Sequence, residues 1–158
     1  MPITPFHFGP GAALQALAPR HISFLSFVAA NVLIDVESLY NLVHGRHPVH
    51  AFFHTYVGAT LVALALVVAF WLLRRAGVQR LLPALTLRQV TLGALLGAWS
   101  HVLLDSVMHA DIQPLQPLSA ANGLLGWVSL SALHWGCLAC GVVALLMAGI
   151  RHLLKQPP

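Results

Sequence analysis

The chain has 158 residues, of which 58% are hydrophobic and only 8% charged, and its mean hydropathy is +0.81. A soluble domain usually carries about 25% charged residues. The deficit excludes an ordinary water-soluble domain and points to one compact membrane unit over residues 1–158. The net charge of +4 does not indicate nucleic-acid binding, because no run of basic residues with interleaved aromatics forms a soluble face.

The N-terminal MPITPFHFGPG lacks the positive start of an ordinary signal peptide. GAALQALA can form two or three helical turns before Pro19 stops it. That is too short to span, so the segment is expected to be re-entrant or interfacial. Four longer apolar runs follow, at about residues 22–43, 52–73, 90–108 and 124–154. Each approaches or exceeds the roughly 20 helical residues that cross a hydrocarbon core. The breaks between them, HGRHP, RRAGVQRLLP and DIQPLQPLSAANG, are turn-like. No useful strand alternation and no internal repeat appear. The expected fold is all-α: a polytopic bundle of about four transmembrane helices plus a short N-terminal helix.

With alternating spans, Arg20, Arg74, Arg75, Arg80, Arg88, Arg151 and Lys155 share one side, and Arg46 alone takes the other. This bias predicts a cytoplasmic basic side with both termini on it.

The chain has only four acids, Asp35, Glu37, Asp105 and Asp111, each inside or at the end of an apolar run. An acid within the bilayer costs about 2.5–3.5 kcal/mol on insertion scales, so something must compensate. In the first span Asn31 and Asp35 are four apart and share a face. Glu37 points roughly the other way unless the helix loosens. The second span opens HPVHAFFHT, where His47 could cap, Pro48 suits the first helical position, and His50 and His54 share a face. The third carries Gly93, Gly97, His101, Asp105 and His109 at intervals of four. Its two glycines permit close approach of a neighbour. By depth, Asp35, Glu37, His50, His54, His101, Asp105 and His109 all fall toward the non-cytoplasmic ends. One Arg cannot neutralise these carboxylates. Protonation, protonated histidine or a divalent metal remains, and carboxylates with imidazoles suit Zn²⁺ foremost, or Mn²⁺ or Fe²⁺.

Bland readings stand beside this one. A lone His in a bundle is more often a hydrogen-bonded core residue, and His134 is read so. His21, His44 and His152 sit at span ends as interfacial residues. Cys137 and Cys140 are spaced C-x-x-C but lie in an apolar helix, where they read as small packing residues. The cluster of Asp35, His54, His101 and Asp105 could itself be a polar packing network.

At these residues the sequence resembles the YdjM-type family of membrane-bound, metal-dependent hydrolases. The resemblance runs through His7 in FHFGPG, Asp35-Val36-Glu37, HAFFHT from His50 to Thr55, and Ser100-His101 with Asp105, in the same order. The family's Arg is Ala51 here, its two histidines stand one residue closer, and Ile34 replaces a common Pro. The resemblance implies a site for one or two metal ions drawn from His7, Asp35, Glu37, His50, His54, His101 and Asp105, in a bacterial inner membrane. It implies hydrolysis of a phosphoester or lipid-type substrate by a metal-activated water. Glu37 is the candidate general base. His109 and Asp111, at the mouth, would touch a lipid headgroup or complete the shell. A cation or proton pathway, and a structural protein whose metal only staples helices, are the competing classes.

Overall fold

A computed structural model of the chain describes residues 5–77 and 85–154. Among them the structure is all-helical: α1 (Phe8–Leu17), α2 (Phe24–Val43), α3 (Tyr56–Arg75), α4 (Leu87–Met108) and α5 (Leu130–Leu154), with 3₁₀ turns at Pro5–His7 and Phe52–His54. The four long helices are 20, 20, 22 and 25 residues, roughly 30 to 37 Å at 1.5 Å per residue. They are long and apolar enough to cross a membrane.

The helix starts follow from caps. Ser23 Oγ accepts from Ser26 N at 3.2 Å, and Thr55 Oγ1 accepts from Gly58 N at 2.9 Å. Thr86 and Gln89 form a reciprocal capping box. The expected second span therefore begins later than its sequence suggested. His47 and Pro48 do not open a helix; residues 44–51 are irregular, and Thr55 caps α3 after the Phe52–His54 turn. The fourth span likewise starts at Leu130, where Ser129 Oγ accepts from Ala132 N at 3.2 Å. The third starts three residues earlier than expected, at the Thr86 box.

α4 is the central helix. It runs parallel to α2 and antiparallel to α3, and Ala30, Ile34, Ala59, Val62, Ala63, Ala94, Ala98 and Val102 form the core between the three. Glycine makes the close pairing of α2 and α4 possible. A Cβ at Gly93 would collide with Ser23 O and Ser26 Oγ, and one at Gly97 would stand 2.9 Å from Phe27 Cα. Asn31 Nδ2 donates across the same seam to Gly97 O at 3.3 Å.

α1 runs beside α5 and away from the polar end of the bundle, with Gly9 against the backbone of Cys137. The α1–α2 turn is tied to the start of α4, where Gln89 Nε2 donates to Pro19 O at 3.3 Å and Ser23 N to Gln89 O at 3.1 Å. Pro5–His7 thus lie at the level of the acids, while Leu154 lies at the other end. Arg20, Arg74, Arg75, Arg88 and Arg151 sit at or near that other end, by element order. Arg80 and Lys155 lie outside the described residues.

Candidate metal centre

Four donor atoms from three segments meet inside the bundle. Asp35 comes from α2, His54 from the 3₁₀ turn before α3, and His101 and Asp105 from one face of α4. All four residues are at most 4% exposed. His101 Nε2 lies 3.3 Å from Asp35 Oδ1, 3.3 Å from Asp105 Oδ2 and 3.2 Å from His54 Nε2. His54 Nε2 lies 3.4 Å from Asp105 Oδ2 and 3.7 Å from Asp35 Oδ1. A tetrahedron of ligands at about 2.0–2.2 Å from a zinc-like ion has edges of roughly 3.3–3.6 Å. The five separations, 3.2–3.7 Å, are close to those edges, and the group could hold a metal ion. Asp35 lies within α2, Asp105 in the last turn of α4 and His54 just before α3, so the group sits at one end of the bundle.

The outer nitrogens of the two imidazoles are held in place. Asn31 Nδ2 donates to Phe27 O at 2.8 Å and to Gly97 O. This leaves Asn31 Oδ1 to face His101 Nδ1 at 3.0 Å as an acceptor. His101 Nδ1 therefore carries a proton, and a neutral His101 offers a bare Nε2 to the cluster. His54 Nδ1 faces Ser38 Oγ at 3.4 Å.

Four buried side-chain atoms among the described residues lack a hydrogen-bond partner: His7 Nε2, Asp35 Oδ1, His50 Nε2 and Asp105 Oδ1. All belong to this region. Every ion-pair contact to Asp35 and Asp105 among the described residues comes from a histidine. Arg46, the basic residue expected nearby, stacks over the Tyr40 ring at 5.1 Å instead. At 3.2 Å at most one of the facing His54 and His101 Nε2 atoms can bear hydrogen, so these two imidazoles are not both charged; His7 Nε2 is the third imidazole nitrogen against the acids. A divalent cation fits this donor set.

The other expected residues fall as follows. His7 reaches the site: Nε2 is 3.2 Å from Asp105 Oδ1 and Nδ1 is 3.1 Å from His101 Nδ1. His50 is not on a helix face shared with His54. It comes from the irregular segment, its ring edge-on to His54 at 4.8 Å and stacked on His109 at 4.2 Å. His50, Asp105 and His109 form a second group of donors mutually within 4.8 Å. Asp111 holds His50: one oxygen accepts from His50 Nδ1 at 2.9 Å, the other from Val49 N and His50 N at 3.1 Å each. Burial of His50 and His109 pushes both imidazoles below their usual range and toward the neutral form. Burial raises the Asp111 carboxyl, but hydrogen bonds from the His50 backbone and ring outweigh it and hold it low.

Glu37 is not brought to either group. α2 stays regular to Val43, so Glu37 points away from Asp35, and its Oε2 accepts from Phe53 N at 2.6 Å. It supports the turn that presents His54. The orienting role of Ser38 was missed in the sequence, although its place three residues after Asp35 put it on the same face. His134 stacks on Phe6 at 4.3 Å, and Cys137 and Cys140 are free thiols.

Beside the second group a cavity of about 280 Å³ opens among the loops, lined by Pro48, His50, Phe52, Thr55, Asp111 and Gln113 together with neighbours. Comparison with known families, with curated proteins and with solved structures finds no match to this chain.

Proposed function

We propose that the protein is a membrane-embedded, metal-dependent hydrolase that binds zinc and acts on a phosphoester or lipid-type substrate, as the YdjM-type resemblance implies. The observation that carries the metal reading is the convergence of four buried donors, from Asp35, His54, His101 and Asp105, within 4.8 Å of one another. A buried carboxylate oxygen without a donor is expensive in an apolar interior, and a cation removes that cost. A bound divalent ion would acidify water and polarise a phosphoryl or acyl oxygen.

The chain's own residues do the rest. Asn31 and Ser38 orient the imidazoles, and the helices exclude bulk water. The cavity lined by His50, Thr55, Asp111 and Gln113 is the recess in which a substrate headgroup would sit. Hydrolysis adds one water across the ester, its oxygen to phosphorus or acyl carbon and its proton to the departing alcohol.

One observation favours a second reading, a metal that only staples helices. The Asp35, His54, His101 and Asp105 set supplies four buried donors, and structural zinc sites are closed in this way. Metal analysis of the purified protein, followed by turnover assays on phosphoester and lipid panels, separates the two. Metal with turnover supports the hydrolase, metal without turnover the staple, and no metal overturns both.

We also infer from the basic bias that the centre lies toward the non-cytoplasmic face of the membrane, which the YdjM-type resemblance would make a bacterial inner membrane. Reporter fusions after Gly77 and at Ala120 should report opposite sides, Ala120 outside. Both on one side would overturn that orientation.

A further inference from the structure

We propose that a second divalent ion binds beside the first, held by His50 Nε2, His109 and Asp105 Oδ1, with Asp105 bridging the two ions. This second position, not the closed four-donor set, is the one that meets substrate. The inference rests on the metal reading above and deepens it.

Three observations carry it. Asp105 turns Oδ2 toward His54 and His101, while its buried Oδ1, 3.2 Å from His7 Nε2, makes no hydrogen bond. The four-donor set does not use that oxygen. His50 is 6% exposed, and its Nε2 is equally without a partner. Its Nδ1 donates to Asp111 at 2.9 Å. A carboxylate on the outer nitrogen fixes ring and tautomer and leaves the inner nitrogen as a metal ligand. The donors of His50, Asp105 and His109 lie within 4.8 Å of one another, although they come from an irregular loop, α4 and the residue capping α4.

The two groups differ in what they leave open. Asp35, His54, His101 and Asp105 supply four donors, the number that closes a tetrahedral site. His50, His109 and Asp105 supply three donors, the number that leaves a position free in catalytic zinc sites. His50 and its partner Asp111 also line the 280 Å³ cavity, which gives substrate a recess beside this group. Apart from Asp105, the four-donor set contributes no residue to the second group.

The test counts ions and asks whether they touch. Full-length protein in detergent is stripped of metal, saturated with Mn²⁺, dialysed and measured for metal per chain, with electron paramagnetic resonance on the same samples. Wild type is expected to hold two ions and show the spectrum of an exchange-coupled pair. His109→Ala should hold one ion and show an isolated-ion spectrum. His50→Gln should do the same; its amide can still hydrogen-bond Asp111, so loop collapse would not explain the loss. One ion per wild-type chain, with an isolated-ion spectrum, overturns the second site and leaves the first standing. Two ions in His109→Ala overturns the ligand set. No ion in wild type overturns the metal reading altogether.

Discussion

α4 and α5 are both long apolar helices carrying histidine, glycine and residues with known metal chemistry, yet only α4 builds a centre. α4 lies between α2 and α3, and its Gly93, Gly97, His101 and Asp105 are all buried. α5 packs mainly on the short α1. Only Cys137 and Ala144 of it are buried, while Trp135, Leu145 and Leu153 are largely exposed. The donors of α5 have no acid among them and no second element bringing more. The comparison teaches that spacing along one helix nominates residues, and convergence of elements around an uncompensated charge makes a site. The membrane sharpens this, because an acid there must be answered by something specific.

The largest effect should come from breaking the α4 side at its shared residue. Asp105→Asn keeps shape and removes the charge from both donor groups. Metal affinity should fall on the order of 100-fold or more, since even outer-shell changes cost about 10–100-fold. His101→Ala should act alike, and the double variant should be non-additive because both serve one site. Metal content after dialysis measures this. An Asp105→Asn protein that keeps its full metal and melts as wild type would establish a polar packing network instead.

Much of the comparison was legible in the sequence. The interval of four in α4 gave both the glycine seam and the His101–Asp105 pair, because α4 is a regular helix and periodicity reads regular helices. Asp35 followed in the same way. The segment before α3 was misread for the complementary reason. Residues 44–55 are held by tertiary contacts, such as Glu37 to Phe53 N and Asp111 to Val49 and His50, which no local pattern encodes. His50 and His54 were therefore named as donors but arranged wrongly, and Glu37 was placed at the centre it only supports from behind. His7 was legible only through the family resemblance. Nothing in its own neighbourhood shows that α1 runs back along α5 to bring the Pro5–His7 turn to Asp105.

A smaller effect should come from the residue that orients the α4 side without joining it. Asn31 fixes the His101 tautomer through Oδ1 while its Nδ2 is tied to two carbonyls. Asn31→Ala should leave every donor in place and weaken metal binding by about 10–100-fold. Asn31→Asp keeps an acceptor for His101 Nδ1 and should weaken it less than the alanine variant does. Equal affinity in wild type and Asn31→Ala, read by competition with a chelator, would show that His101 is held by its helix alone.

The smallest effect is expected on α5, and it decides whether the contrast between the two helices is real. His134, Cys137 and Cys140 lie within two turns and would form a plausible site by spacing alone. In the structure His134 stacks on Phe6, and Cys137 packs where Gly9 crosses it. Neither cysteine belongs to a donor group among the described residues. Cys137→Ser and Cys140→Ser change little volume, and His134→Phe preserves the stack on Phe6. The triple variant should therefore keep the wild-type number of ions and the same affinity, within about twofold. Any change should appear as a modest shift in melting, because Cys137 is a buried contact between α1 and α5. Loss of an ion from the triple variant would mean that α5 supplies a donor, and the difference drawn between α4 and α5 would fail.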